Sequence, residues 1–163
     1  MTLRLLTAAD IIQFKGLRLQ SLRETPKSYL HIYDEEASRP NQFYSGFIEN
    51  NRIVGAFDND ALVGFAIMSF HSPIKHRHKC LLWGAYVKPD YRSNGIGKQM
   101  RLFLFEIAKE LGMSHCLSSI VADNPASLAM HEGVGYEKMY VEKKGLMHRD
   151  GTYSDIIHLI KWF

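Results

Sequence analysis

The alternation of apolar and polar residues changes its period several times along the chain. Short apolar runs, typical of buried strands, cover residues 53–57, 62–70 and 80–87. The polar tetrapeptide DNDA between the first two runs has the composition of a hairpin turn. We therefore expect these three strands to follow one another as an antiparallel meander.

The best helix pattern of the chain follows the third strand. Its apolar residues share one helical face, and Gly112 stands where a left-handed cap is expected; the face consists of Met100, Phe103, Leu104, Ile107, Ala108 and Leu111. Beyond this helix the pattern predicts a strand over 116–122, a short helix that opens after Asn124, and closing strands over 136–145 and 153–163. The second half of the chain thus alternates strands and helices, as mixed α/β domains do.

The first fifty residues show a weaker pattern. Residues 3–6 predict a short strand, and Thr7 and Asp10 are cap candidates for a helix that reaches about residue 23. Its apolar positions near helical spacing are Ile11, Phe14, Leu17 and Leu22. A second helix is predicted from Asp34 through Phe47, although Pro40 lies within it.

The composition is that of a soluble globular protein with one domain over residues 1–163. Of these residues 46% are apolar and 23% charged, and the formal net charge is +3. A charge this small predicts no nucleic-acid partner. The most basic stretch, KHRHK at 75–79, lacks the interleaved aromatic residues of a single-strand platform, so we interpret it as a solvated hairpin tip.

The cysteines and histidines do not form a recognisable metal or disulfide pattern. Cys80 and Cys116 lie in apolar stretches, which favours small buried hydrophobes, with a disulfide between them left open. His71, His76 and His78 have no nearby cysteine or carboxylate to complete a ligand set, so we expect surface histidines and no metal. The N-terminus has no apolar segment long enough for a signal peptide or membrane span, which predicts a cytoplasmic protein without a membrane partner.

The segment KPDYRSNGIGKQM at 88–100 carries the most specific chemistry. A glycine turn that leads into a helix offers free backbone N–H groups and the positive end of the helix dipole to an anion. A Walker-type phosphate loop is excluded, because Arg92 stands where that loop needs its first glycine and Gln99 where it needs Ser or Thr. A dinucleotide fingerprint is excluded by Met100, which stands where it needs Gly or Ala.

The remaining pattern, Arg-x-x-Gly-x-Gly between an apolar strand and an amphipathic helix, resembles the signature loop of the GNAT superfamily of acyl-CoA-dependent N-acyltransferases. The N–H groups from Asn94 to Lys98 are suited to wrap a pyrophosphate, with charge added by Arg92 and Lys98. The resemblance implies acetyl-CoA as co-substrate. The loop residues predicted to bind acetyl-CoA are Arg92, Ser93, Asn94, Gly95, Ile96, Gly97 and Lys98.

A second segment supports the same resemblance. Asn124, a short helix and the final Gly135-Tyr136 follow the order and spacing of the family. The family fold implies a mixed α/β architecture, with a mostly antiparallel sheet of about seven strands and about four flanking helices. It also implies that Asn124 contacts the cofactor, that Ala85 and Val87 offer backbone groups to pantetheine, and that an N–H near Tyr86 or Val87 polarises the thioester.

In the family, the strand before the signature loop splays from the strand after the helix, and the pantetheine arm enters the gap between them. The distortion that opens this gap is expected at Gly84, a glycine inside an apolar strand. The position where the family usually carries a tyrosine acid holds His131, which serves as the acid in one interpretation and lies exposed, with water as the acid, in the other. The strand before the loop has no carboxylate to act as base. An ordered water, His78 or an acid from the N-terminal helices are the alternatives.

The acceptor site is implied only by the position of the first helices. Tyr29, Glu35 and Trp83 are the predicted substrate contacts. The alternative for the two aromatic residues is core packing, and the alternative for the acid is a helix N-terminal cluster.

The leading hypothesis is direct acetyl transfer to an amine of a small molecule, peptide or protein. The alternative is a non-catalytic acyl-CoA sensor or partner-binding module. The last strand either pairs with a second subunit, as in a homodimer, or closes the sheet.

Overall fold

The strands form the expected meander and continue it into one mixed sheet. The computed structural model describes residues 1–163 and contains a sheet of seven strands in the order β1-β2-β3-β4-β5-β7-β6. The strands are β1 Thr2–Leu5, β2 Arg52–Asp58, β3 Ala61–Phe70, β4 Lys79–Val87, β5 His115–Val121, β6 Glu137–Met147 and β7 Tyr153–Trp162. Only β4 and β5 pair in parallel, and every other neighbour is antiparallel.

The region of the predicted second helix contains two helices. The chain has five α-helices, close to the expected number of about four: α1 Ile11–Glu24, α2 Tyr33–Ala37, α3 Asn41–Asn50, α4 Ile96–Glu110 and α5 Pro125–Glu132. Pro40 separates α2 from α3 because proline cannot donate the helical hydrogen bond and clashes with the preceding turn, and it stands at the N-cap of α3. Thr7 and Asp10, the expected cap candidates, bond to each other directly before α1: Thr7 N donates to Asp10 Oδ2 at 2.8 Å, and Asp10 N donates to Thr7 O at 3.0 Å.

Helix α1 buries a stripe that differs from the predicted one. Its buried residues are Phe14, Leu17, Arg18, Ser21 and Leu22, whereas Ile11 is only half-buried. Arg18 can lie in this stripe because its guanidinium is paired with Glu36 of α2, with Nη2 2.6 Å from Oε1. A charged residue therefore occupies a core position that the apolar pattern alone would not assign to it.

Helix α4 is rotated relative to the predicted face. Met100, Leu104 and Ala108 are fully buried as expected, and Gly112 has a φ of +70° in the predicted left-handed cap. Leu111 is instead 49% exposed, and Arg101 and Phe105 are buried. The buried stripe therefore extends to the side of the helix on which Phe105 contacts Tyr136 and Phe163.

The sheet parts between β4 and β5. These strands pair only at their first residues, Lys79–Leu81 with His115–Leu117. The predicted bulge at Gly84 is confirmed by a φ of +63° and by a register shift on β3 between Phe65 and Ile67. Glycine is required there, because a Cβ atom would lie 2.8 Å from Ile67 Cδ1 in addition to the strained backbone. A gap therefore opens in the middle of the sheet.

The last strand closes the sheet. β7 pairs with β5 on one side and β6 on the other, so the alternative in which it offers a free edge to a second subunit is wrong. Cys80 and Cys116 are buried, free thiols on adjacent strands, which confirms their interpretation as small buried residues.

The basic stretch 75–79 lies between β3 and β4, and most of its residues are exposed. No group of three or more His, Cys, Asp or Glu side chains is placed to hold a metal ion. None of the helices has both the length and the apolar character needed to cross a membrane.

Candidate active site

The glycine loop presents a row of free backbone N–H groups. Ser93 and Gly95 have positive φ values of 65° and 73°, which turn the chain sharply into α4. None of the N–H groups from Ser93 to Lys98 donates to a backbone carbonyl, and the first helical bond runs from Gln99 N to Gly95 O at 3.0 Å. A cavity of about 540 Å³, here called the loop cavity, lies over these groups. Six of the seven predicted loop ligands line this cavity together with Asn124, namely Arg92, Ser93, Gly95, Ile96, Gly97 and Lys98. Asn94 does not line it, and its side-chain amide donates to Tyr91 O at 3.4 Å.

The open edge of β4 exposes the backbone of Ala85 and Val87. Lys88 N donates to Val63 O on β3, and the alternation of antiparallel pairs then directs the backbone of Tyr86 towards β3 and that of Ala85 and Val87 into the gap. Side chains already contact these groups, since Ala85 O accepts from the Tyr29 hydroxyl at 3.0 Å and Val87 O from Arg92 Nε at 2.9 Å. Of the two N–H groups suggested for the thioester, that of Val87 is therefore the one that faces the gap.

A second cavity of about 360 Å³, here called the central cavity, fills the gap itself. Its walls include the β4 edge, Ser118 and Ser119 of β5, Asn124 and His131 of α5. It shares Ala85, Val87 and Asn124 with the loop cavity, so the two meet along the β4 edge. A long ligand with an anionic end can thus run from the loop to the middle of the sheet.

Arg101 of α4 lies beneath both cavities and was not predicted from the sequence. It is 5% exposed, its Nη1 donates to Gly97 O at 3.2 Å, and its buried Nε has no hydrogen-bond partner. Burial lowers the pKa of this guanidinium to about 10, and no carboxylate forms an ion pair with it. A buried cation without a partner is costly and has a strong preference for an anion.

The ring of His131 lies against the central cavity but is buried, with 2% exposure, so the alternative of an exposed ring is wrong. Nδ1 is 2.7 Å from Ser127 O and Nε2 is 3.0 Å from Ser118 Oγ. Burial and, next, the charge of Arg101 lower the pKa of His131 to about 4. The ring is therefore neutral at pH 7, with the Nδ1 proton donated to the Ser127 carbonyl and Nε2 accepting from Ser118.

A third cavity, here called the apolar cavity, lies beside the central cavity and has a volume of about 550 Å³. Tyr29 and Trp83, two of the residues predicted as substrate contacts, line both cavities. The buried Arg18 guanidinium lies 4.9 Å from the ring centroid of Tyr29 and fixes this wall.

Glu35 is not brought to any of these three cavities. It lies on the exposed side of α2, because the short helix turns the neighbouring Glu36 inward to pair with Arg18. The third acid of the cluster, Asp34, forms an exposed ion pair with Arg149 at 2.8 Å. The acidic cluster thus serves the fold, and the prediction of Glu35 as a substrate contact is not supported by its position.

One acid of the N-terminal helices, Glu24, contacts two residues of the site but lines none of the three cavities. Glu24, at the end of α1, accepts from the Tyr86 hydroxyl at 2.5 Å and lies 3.5 Å from Arg92 Nη2. The Tyr86 hydrogen bond is the main cause of a lowered pKa of Glu24, while burial and Glu24 raise the pKa of Tyr86. His78, the other suggested base, lies beside His115 at the far end of β4 and lines none of the cavities.

The fold and these cavities define the class of protein. The sequence matches the acetyltransferase (GNAT) family over residues 18–136. The chain therefore belongs to the GNAT acetyltransferase family, as the loop at 92–97 indicated. No curated protein matches the sequence.

Solved structures agree with this fold over the whole chain. An acetyltransferase of the GNAT family from Streptococcus pneumoniae is similar with a TM-score of 0.91 at 16% identity, over 99% of each chain. A ribosomal-protein-alanine N-acetyltransferase from Brucella melitensis has a TM-score of 0.85 at 24% identity, over 100% of each chain. The yncA structure from Salmonella typhimurium, described with its cofactor acetyl-CoA, has a TM-score of 0.86 at 17% identity, over 99% of this chain and 93% of that one.

Proposed function

We propose that this protein transfers the acetyl group of acetyl-CoA directly to an amine of a small molecule, peptide or protein. The observation that carries the proposal is the gap between β4 and β5 beside a loop whose N–H groups are free. The loop fits an anionic pyrophosphate, and the open β4 edge fits the amides of a pantetheine arm. The Salmonella neighbour, which shares the fold, is described with acetyl-CoA.

The buried polar groups fit this ligand. Arg101 has an unpartnered Nε beneath the two cavities and would face a ligand that carries negative charge. Acetyl-CoA supplies an activated acetyl group whose leaving sulfur becomes a thiolate. In this proposal Arg101 stabilises that developing negative charge.

The backbone and His131 take supporting roles. The N–H of Val87 is directed into the gap and polarises the thioester carbonyl, a contribution of about 3 kcal/mol where such donors have been removed. His131 as a direct acid would need an imidazolium, and its burial beside Arg101 disfavours that form at pH 7. Its role in this proposal is to hold the Ser118 hydroxyl at the wall of the central cavity.

Direct transfer is favoured over a covalent acyl-enzyme. Cys80 and Cys116 are both buried in the core and line none of the three cavities, so neither thiol can reach a bound thioester. Cys116 Sγ also accepts a hydrogen bond from the Tyr136 hydroxyl at 3.2 Å. The amine must therefore attack the thioester itself.

Calorimetric titration with acetyl-CoA tests the proposal. Gly97→Asp places a carboxylate against the free N–H groups and should abolish binding, while the fold is retained because an acid suits the first turn of α4. Gln99→Asp adds the same charge on the exposed side of that turn and should bind as the parent does. A folded parent that does not bind acetyl-CoA would refute the proposal. Binding without acetylation of any amine would favour the non-catalytic acyl-CoA-binding alternative.

A further inference from the structure

Three polar side chains on neighbouring strands form a continuous hydrogen-bonded array in the apolar cavity. His158 of β7 has Nδ1 3.0 Å from Ser119 Oγ on β5 and Nε2 2.8 Å from Glu142 Oε2 on β6. An ionised carboxylate only accepts, so Nε2 carries the proton of the neutral ring. Nδ1 is then the acceptor, and the Ser119 hydroxyl donates to it.

The register of the sheet holds the array in place. Ser119 and Tyr140 are the cross-strand partners of His158 on its two sides. The Tyr140 ring stacks on the imidazole at 4.4 Å and 18°. The titratable groups that face His158 are Glu142 and Tyr140 on β6 and, across the cavity, His31.

Ser119 stands at the junction of two cavities. It lines both the central cavity, where the thioester is proposed to lie, and the apolar cavity, which His158 and Glu142 also line. The remaining walls of the apolar cavity are mainly apolar, with Leu81, Trp83, Leu146 and Ile156 among them. Such a cavity suits an apolar body, and the carboxylate of Glu142 attracts a cationic amine.

We propose that His158, acting through the Ser119 hydroxyl and oriented by Glu142, accepts the proton of a primary amine carried on an apolar body. This inference rests on the acetyltransferase function proposed above and names its acceptor class and its proton acceptor. Glu24 is less suited, because both of its oxygens already accept hydrogen bonds, from Gln20 and Tyr86.

The proton transfers balance. The ammonium group gives one proton to Ser119 Oγ as Ser119 passes its own proton to His158 Nδ1, which leaves an imidazolium beside Glu142. The nitrogen lone pair then forms the C–N bond to the acetyl carbonyl carbon, and the C–S bond breaks with its electron pair on sulfur. The nitrogen loses its second proton to the thiolate. The products are the amide, the CoA thiol and one proton, which His158 returns to solvent.

A matched pair of amines separates proton removal from binding. 2-Phenylethylamine is protonated at neutral pH, as a lysine amine with a pKa of about 10.4 is. O-Benzylhydroxylamine has the same shape but is unprotonated there, so it needs no base before attack. His158→Gln should lower kcat/KM for 2-phenylethylamine at pH 7 by about 100-fold, the usual contribution of a general base. It should leave the rate with O-benzylhydroxylamine within about threefold of the parent.

The pH profile and further variants complete the test. The loss with 2-phenylethylamine should shrink as the pH rises towards the pKa of the amine, and Glu142→Gln should act in the same direction with a smaller loss. His148→Gln is the control, because His148 also contacts a serine, Ser154, at 2.7 Å but lies outside the three cavities.

Two results would overturn the array as the proton acceptor: equal losses with both probes, or no loss with either. A parent that binds acetyl-CoA but acetylates neither probe would overturn the assigned acceptor class. A parent that fails to bind acetyl-CoA would instead refute the acetyltransferase function itself.

Discussion

His131 Nε2 and Ser118 Oγ form a hydrogen bond of 3.0 Å beneath the point where β4 and β5 separate. The same hydroxyl lies 2.9 Å from Leu82 O, and the other ring nitrogen lies 2.7 Å from Ser127 O. A neutral ring has too few protons to satisfy all three contacts at once, whereas an imidazolium would satisfy them. Burial and the charge of Arg101 nevertheless keep the ring neutral, so one of these three contacts lacks a donated proton.

The first prediction is that His131 makes the protein less stable in mild acid. The pKa of His131 is about 4 in the folded protein and about 6.5 in an unfolded chain. As the pH falls from about 6.5 to 4, the unfolded chain binds a proton that the folded state does not, and stability is lost by up to roughly 3 kcal/mol. Urea unfolding of the parent should therefore show a steeper loss over this range than His131→Gln, which cannot titrate.

The control for this comparison is Asn50→Gln, which changes an exposed side chain and adds or removes no titratable group, so its pH dependence should follow that of the parent. His131→Gln should be less stable than the parent at pH 7 because it loses buried packing and hydrogen bonds. The difference in the free energy of unfolding between the parent and His131→Gln should narrow as the pH falls. A difference that stays constant between pH 7 and 4.5 would show that His131 titrates normally in the folded protein.

The sequence predicted the elements that depend on local pattern. The glycine turn at 92–97, the bulge at Gly84 and the cap residues Thr7 and Asp10 each depend on particular residue types at particular places, and the structure contains all three. Glycine is favoured where φ is positive, and short polar side chains are favoured at N-caps, so these features can be recognised without knowledge of the tertiary structure. Pro40 is a local signal of the same kind, but the predicted second helix ran through it, whereas the structure starts α3 directly after it.

The residues that the sequence did not reveal act through long-range pairing. Arg101 follows Met100 on α4, and nothing in the local pattern shows that an arginine there turns inward. Ser119, Glu142 and His158 lie on three strands that meet only through the register of β5, β7 and β6. The phase of a helix as short as Tyr33–Ala37 cannot be fixed from its sequence, so the predicted substrate contact Glu35 is exposed and its neighbour Glu36 is the buried acid. Ser119, Glu142 and His158 can therefore be recognised as one cluster only when the order of the strands is known.

The second prediction concerns the trade between stability and binding at Arg101. Arg101→Met keeps the unbranched aliphatic part of the side chain and removes a buried charge that has no ionic partner, so the free energy of unfolding without ligand should rise by about 1 kcal/mol or more. The same change should weaken acetyl-CoA binding by about tenfold, since it removes a buried cation from a site proposed for an anionic ligand. Urea unfolding and calorimetry measure the two effects.

Arg77→Met is the matched control for Arg101→Met, because Arg77 is an exposed residue of the 75–79 tip and should change neither quantity. An Arg101→Met protein that is less stable than the parent and binds acetyl-CoA equally well would show that the guanidinium serves packing alone.

The third prediction separates the two adjacent glutamates of α2. Glu36→Gln leaves the Arg18 guanidinium buried without its counter-charge and should cost about 3 kcal/mol in the free energy of unfolding. Glu35→Gln changes an exposed side chain and should stay within about 0.5 kcal/mol of the parent. Thermal and urea unfolding of the two variants give this comparison directly. Equal effects would mean that the Arg18 pair is not the main support of the α1 and α2 contact.

The last prediction concerns the hydrogen bond between the Tyr29 hydroxyl and Ala85 O, 3.0 Å in length. This carbonyl lies on the open edge of β4, where a pantetheine amide is proposed to donate, so ligand and hydroxyl compete for the same acceptor. Tyr29→Phe keeps the ring beside Arg18 and removes the competitor, which should tighten acetyl-CoA binding by about threefold to tenfold. Tyr33→Phe removes a hydroxyl outside the three cavities and should leave the affinity unchanged. If Tyr29→Phe weakens binding instead, the hydroxyl contacts the ligand itself and does not compete with it.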